Sequence, residues 1–67
     1  MITVNDKVMP WEEGLSFAEI YEFLGYTLKE PVVTVKVNGE IIPREKRAGF
    51  SIPDGSIIEI VNVLRGG

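Results

Sequence analysis

Residues 32–42 read VVTVKVNGEII, and this segment predicts a β-hairpin. Val32–Val37 is rich in β-branched side chains, which fit a pleated and partly buried surface. Asn38-Gly39 then separates this run from Glu40–Ile42, and an Asn-Gly pair between two strand-like runs is the strongest short hairpin signal. Pro43 ends the second strand because proline cannot donate a backbone hydrogen bond. The segment therefore predicts two antiparallel strands joined by a two-residue turn.

A second hairpin is predicted at the start of the sequence. Ile2–Val4 and Lys7–Met9 are strand-like, and Asn5-Asp6 between them tolerates the positive φ of a two-residue turn. Near the other end, a turn at Pro53–Gly55 leads into residues 56–64, which are apolar on both alternating faces. Such a strand normally lies in the middle of a sheet, with one side covered by a helix. We therefore expect this last strand to be central.

One helix is predicted between the two hairpins. Ser16 and Glu19 have the spacing of a capping box, and Gly25 stands where a helix commonly ends in the left-handed conformation. We predict the helix over Phe17–Leu24. Arg44–Gly49 is polar, and we predict a loop or a short irregular turn there. Together these elements predict a two-layer α+β domain with one helix across one mixed sheet. The apolar stripe of the helix comprises Phe17, Ile20, Tyr21 and Leu24.

The composition excludes several classes of function. The 67 residues, 45% of them hydrophobic, allow one domain with its own core. Cysteine and histidine are both absent, which excludes disulfides, thiolate or imidazole zinc sites, and a Cys–His or Ser–His–Asp nucleophile. The net charge is −3 and the basic residues are scattered, which disfavours nucleic-acid binding. No apolar run has the length of a membrane span and residues 1–9 lack a signal-peptide core, so we expect a cytoplasmic protein.

The sequence finishes with Arg65-Gly66-Gly67. Neither glycine carries a Cβ, so this end of the chain is thin and conformationally permissive. Three extended residues reach about 10 Å, which is enough to thread an acyl group into a narrow site on another protein. We predict a single domain over residues 1–67 whose C-terminal tail, residues 65–67, is flexible.

The order of the elements, the run Val37–Arg44, the Asp54-Gly55 turn and the final Gly66-Gly67 together resemble the β-grasp sulfur carrier proteins of thiamine biosynthesis. The resemblance covers the whole chain. It implies the ubiquitin-like β-grasp fold, which is an α+β fold with a mixed sheet of four to five strands and one helix packed across it. The small subunit of molybdopterin synthase shares this fold and tail, and Leu64–Gly67 also resembles the ending of ubiquitin-like protein modifiers.

The resemblance also implies a chemistry for the carboxylate of Gly67. A ubiquitin-activating-type adenylyltransferase uses ATP and magnesium to form an acyl-adenylate there, and a sulfur donor then displaces AMP to leave a thiocarboxylate. Gly66 and Arg65 thread into the partner's active site. The carrier itself is a monomer, is not an enzyme, binds no metal or cofactor and has no nucleic-acid or membrane partner. Its sulfur passes to thiazole synthase.

Three other functions remain open. A carrier for the molybdenum or tungsten cofactor would deliver its sulfur to the large subunit of molybdopterin synthase. A protein modifier would instead form isopeptide bonds to lysines. In a plain interaction module the glycine end is incidental, and truncating it would change nothing. An autonomous enzyme is the least favoured reading, because the sequence offers no evident catalytic base.

The resemblance suggests that partners dock on the open side of the sheet, near the last strand. Alternation assigns the apolar residues of that strand to two opposite faces. Because both sets are apolar, the sequence leaves open which of them faces outward. Phe50 and Ile52 either extend this patch or line the core under a loop. One apolar set is Ile57, Val61 and Val63, and the other is Ile58, Ile60 and Leu64.

Overall fold

The computed structural model describes residues 1–27 and 31–62. Within these residues the chain forms a five-stranded sheet and two helices. The elements in chain order are β1 (Ile2–Val4), β2 (Lys7–Met9), α1 (Phe17–Phe23), β3 (Val33–Val37), β4 (Glu40–Ile41), α2 (Arg44–Arg47) and β5 (Ile57–Asn62).

The sheet has the strand order β2-β1-β5-β3-β4. Strands β1 and β5 are parallel, whereas the β1–β2, β3–β4 and β3–β5 pairs are antiparallel. The prediction of a mixed sheet with the last strand in the middle is therefore confirmed. The last element of the described residues, β5, thus lies at the centre of the sheet.

Both predicted hairpins are present, and their turns have the expected backbone conformation. Asn5 and Asp6 have φ of 46° and 74°, and Asn38 and Gly39 have φ of 53° and 86°. Positive φ at both central residues is typical of the type I′ turn, whose twist matches that of the flanking strands. The second hairpin extends one step beyond β4, since the Ile42 N–H donates to the Val35 carbonyl at 2.9 Å.

Helix α1 begins after Ser16 and ends one residue before the predicted Leu24, which is its C-cap. The capping box is present, and the carboxylate of Glu19 accepts from the Ser16 N–H at 3.3 Å. Gly25 has φ of 95°, as expected for a helix that ends in the left-handed region. A helix of two turns is not stable alone, so its formation depends on packing against the sheet.

The prediction of a loop or irregular turn at Arg44–Gly49 is wrong for its first four residues. Arg44–Arg47 forms the four-residue helix α2, which follows Pro43 at φ −61°. The Arg47 guanidinium holds it in place, since Nε donates to the Ile42 carbonyl at 3.1 Å and Nη2 to the Val33 carbonyl at 3.0 Å. None of its residues is buried, so the sequence carries no apolar periodicity that would have indicated it.

The core lies between α1 and one face of the sheet. Ile20 of the helix and Val4, Val35 and Ile58 of the sheet are completely buried. Burial of one such aliphatic side chain contributes about 1.5–3 kcal/mol to folding. Every buried side-chain nitrogen or oxygen among the described residues has a hydrogen-bond partner. The buried apolar set is Ile2, Val4, Met9, Leu15, Phe17, Ile20, Tyr21, Val33, Val35, Val37, Ile42, Ile52, Ile58 and Ile60.

Candidate functional site

The structure decides which apolar set of β5 faces outward. Ile58 and Ile60 are 0% and 4% exposed and lie in the core beneath α1. Ile57 and Val61 are 58% and 53% exposed and lie on the side of the sheet that α1 does not cover. Of the predicted docking residues that the structure describes, only Ile57 and Val61 are therefore accessible to a partner.

The neighbouring strands extend this surface in both directions. In the pairing register, Thr3 lies beside Ile57, Thr34 beside Val61, and Lys36 beside Glu59. Val8 on β2 and Ile41 on β4 continue the same side of the sheet to its two edges, and both are about as exposed as Ile57. We call this surface the open face. It comprises Thr3, Val8, Thr34, Lys36, Ile41, Ile57, Glu59 and Val61.

The open face is apolar with a small charged centre. Four of its side chains are large or branched hydrophobics that are more than half exposed. Lys36 and Glu59 lie directly opposite each other on β3 and β5, so one cation and one anion stand between the apolar positions. An exposed apolar patch with interspersed charge is typical of a protein-binding surface, because the apolar area gives affinity and the charges fix the orientation.

The open face extends to the last described residues of the central strand. Val61 belongs to it, and the next residue, Asn62, is the last that the structure describes. The predicted docking residues Val63 and Leu64 and the predicted tail residues Arg65, Gly66 and Gly67 lie outside the described residues. Their predicted roles stay predictions.

Sequence reasoning missed the residue that holds this end of β5. The side-chain amide of Asn5 forms two hydrogen bonds with the backbone of Ile60: Oδ1 accepts from its N–H at 2.8 Å and Nδ2 donates to its carbonyl at 3.0 Å. The sequence indicates Asn5 only as a turn residue. No local signal could have revealed a contact between residues that are 55 positions apart.

Phe50 and Ile52 line the core and are not part of the open face. Ile52 is buried, and its carbonyl accepts from Trp11 Nε1 at 2.7 Å. The ring of Phe50 stacks on that of Phe17 with a centroid distance of 5.7 Å. These side chains border a cleft of about 580 Å³ between the start of α1 and the segment that contains α2. The cleft lies in the helix layer, away from the open face.

The described residues offer no obvious metal site, since they contain no cluster of three or more Asp or Glu side chains that could hold an ion. Residues 1–27 and 31–62 also contain no helix that is long and apolar enough to cross a membrane.

Comparison with known proteins gives a family match and two similar solved structures that agree with it. The family model described as the ThiS family matches residues 1–67. A crystal structure of the thiamine biosynthesis protein ThiS from Geobacter metallireducens is similar, with a TM-score of 0.69, 32% identity and coverage of 98% of this chain and 97% of that one. An NMR structure of a thiamine biosynthesis protein from the same organism is also similar, with a TM-score of 0.68 and 33% identity. The match covers 98% of this chain and 86% of that one.

A comparison with curated proteins gave no significant match. The family model spans every residue of the chain, and the similar structures have the same β-grasp fold over nearly their full length. This chain therefore belongs to the ThiS family.

Proposed function

We propose that this protein is a sulfur carrier for thiazole formation in thiamine biosynthesis. The observation that supports the proposal most directly is the match of the ThiS family model to residues 1–67, which includes the terminal Gly66-Gly67. The titles of both similar structures name a thiamine biosynthesis protein. In this proposal the sulfur is carried on the carboxylate of Gly67.

The chemistry begins with an unreactive carboxylate that must be activated. A ubiquitin-activating-type adenylyltransferase binds ATP and magnesium, and the Gly67 carboxylate displaces pyrophosphate from the α-phosphorus to form an acyl-adenylate. A sulfur nucleophile from a donor then attacks the carbonyl and AMP leaves. The product is a thiocarboxylate, which is a stable nucleophile for thiazole synthase. The adenylyltransferase supplies the catalytic groups, and this chain is its protein substrate.

The absence of Cβ atoms at Gly66 and Gly67 suits this role. The reacting carbonyl must come within a few ångströms of the phosphate and the catalytic groups, and a side chain would obstruct that approach. The rest of the molecule serves to present the tail. The open face offers apolar contacts at Ile57 and at Val61, which is next to Asn62, the last described residue before the tail. Docking there would direct the tail toward the partner's active site.

The family match favours thiazole synthase as the acceptor over the large subunit of molybdopterin synthase. It also favours a carrier over a protein modifier, although the sequence of Leu64–Gly67 resembles the ending of ubiquitin. Presenting the activated protein to thiazole synthase and to the large subunit of molybdopterin synthase separately distinguishes the two carrier functions. Conjugates that carry a Gly-Gly remnant on lysine would indicate a protein modifier.

The proposal is tested by activating the purified protein with a ThiS-family adenylyltransferase, ATP, magnesium and a sulfur source. We expect the intact mass of the wild-type chain to rise by the difference between sulfur and oxygen. Deletion of Gly67 should abolish the gain, and Gly67→Ala should reduce its rate about 100-fold or more, because a misplaced reacting group costs a factor of this order. Circular dichroism should show that both variants fold.

The same mass gain on the chain that lacks Gly67 would contradict the proposal, because the sulfur would then be attached elsewhere. No gain on the wild-type chain, under conditions in which the adenylyltransferase activates another member of the family, would also contradict it.

A further inference from the structure

The two edges of β5 are held differently near its end. On one edge β3 pairs with it as far as Asn62, which lies opposite Val33. On the other edge the β1 pairing stops at Ile58, where the Asn5 N–H donates to the Ile58 carbonyl at 3.0 Å. The chain of β1 then turns away at Asn5 with φ of 46°. Beyond this point the described part of the chain places no strand beside β5 on the β1 side.

The side chain of Asn5 takes the place of the missing strand. Its amide accepts from the Ile60 N–H at 2.8 Å and donates to the Ile60 carbonyl at 3.0 Å. Ile60 is the next residue after Ile58 whose backbone groups point toward β1, because these directions alternate along a strand. The amide of Asn5 therefore satisfies both the N–H and the carbonyl of Ile60, as the backbone of a neighbouring strand would.

From this geometry we propose that Asn5 is a positioning residue for the reaction at Gly67. The inference rests on the proposed function. Ile60 lies between the open-face residues Ile57 and Val61 and precedes Asn62 by two residues. By fixing Ile60, Asn5 holds the part of β5 that joins the open face to the residues that follow Asn62. Without these two hydrogen bonds, β5 would open locally around Ile60 while the open-face contacts at Ile57 and on the neighbouring strands remained.

Asn38 provides a matched control at the opposite end of the same strand. It is also an asparagine in a two-residue turn with positive φ, here 53°. Its Oδ1 accepts from the Ile57 N–H at 2.9 Å, and its own N–H donates to the Ile57 carbonyl at 2.7 Å. Glycine at either position keeps the positive φ without strain, so Asn5→Gly and Asn38→Gly remove side-chain hydrogen bonds and leave the turns intact.

The test combines steady-state kinetics with amide hydrogen exchange on the whole protein. We expect Asn5→Gly to lower kcat for thiocarboxylate formation about tenfold with KM within about twofold of wild type, because the loss of two hydrogen bonds promotes local opening by about that factor. The Ile60 amide should exchange about tenfold faster in this variant. Asn38→Gly should leave kcat and the exchange at Ile60 unchanged, and should speed exchange at Ile57 instead.

Asn5→Asp is a second variant in case Asn5→Gly folds poorly. It keeps an oxygen that accepts from the Ile60 N–H, but its second carboxylate oxygen would face the Ile60 carbonyl and repel it, so its kcat should also fall well below that of wild type. Equal kcat for Asn5→Gly, Asn5→Asp and Asn38→Gly would overturn the inference, and so would a change confined to KM. A wild-type protein that forms no thiocarboxylate would instead overturn the proposed function, which separates the two failures.

Discussion

The two hairpin turns that connect strands of the sheet depend on residues with positive φ. Gly39 has φ of 86°, and Asn38 before it has φ of 53°. A Cβ at Gly39 would meet no atom within 4 Å, so space does not restrict this position. The restriction is conformational, because an L-residue in the left-handed region brings its Cβ close to the following carbonyl oxygen.

Gly39→Ala should therefore destabilise the protein by about 1–2 kcal/mol. Gly39→Asn should cost less than alanine does, since asparagine visits the left-handed region more readily. Chemical denaturation of the three proteins measures both differences. If alanine is tolerated as well as asparagine, the turn does not depend on positive φ and its assigned geometry is wrong.

Among the elements, β5 has two separate functions on its two sides. Its inward side chains, Ile58 and Ile60, pack under α1 and hold the sheet to the helix. Its outward side chains, Ile57 and Val61, contribute to the open face. The alternation of a strand keeps these sets apart, so a change on the outer side leaves the core packing intact.

Val61→Glu should weaken association with the activating partner, raising KM about tenfold or more, because a charge would replace an apolar contact at the interface. The free energy of unfolding should change by less than about 1 kcal/mol, as for most exposed sites. Phe23→Glu makes the same kind of change on an exposed residue of α1, in the other layer, and should leave KM unaltered. Equal effects of the two variants on KM would show that the open face is not the docking surface.

The sequence predicts most of these elements because their signals are local. The Asn38-Gly39 turn, the Ser16–Glu19 capping box and the β-branched run in β3 each depend on residues that are close in the chain. It does not predict which side of β5 is buried, because both sides are apolar and only the position of α1 decides. It also misses α2, which has no buried residues and is held by hydrogen bonds from Arg47 to the nearby Ile42 carbonyl and to the Val33 carbonyl, 14 positions away.

At the scale of the whole molecule, the two faces of the sheet have different roles. One layer, α1 with the inner face of the sheet, supplies a core without disulfides, since the chain contains no cysteine. Nothing in residues 1–27 and 31–62 covers the open face. The central strand β5 contributes to both faces and is the last element of the described residues. In the proposed function, the core would keep the domain folded while the open face and the residues after Asn62 meet the partner enzymes.

The central claim is that Gly67 carries sulfur as a thiocarboxylate. The most direct measurement is the intact mass of the C-terminal peptide from protein isolated from cells that are deprived of thiamine. We expect a fraction of the chains to have sulfur in place of one oxygen at Gly67. This fraction should disappear when the adenylyltransferase is removed. A C-terminus that carries only oxygen under these conditions, or that is found only in isopeptide linkage to lysines, would contradict it.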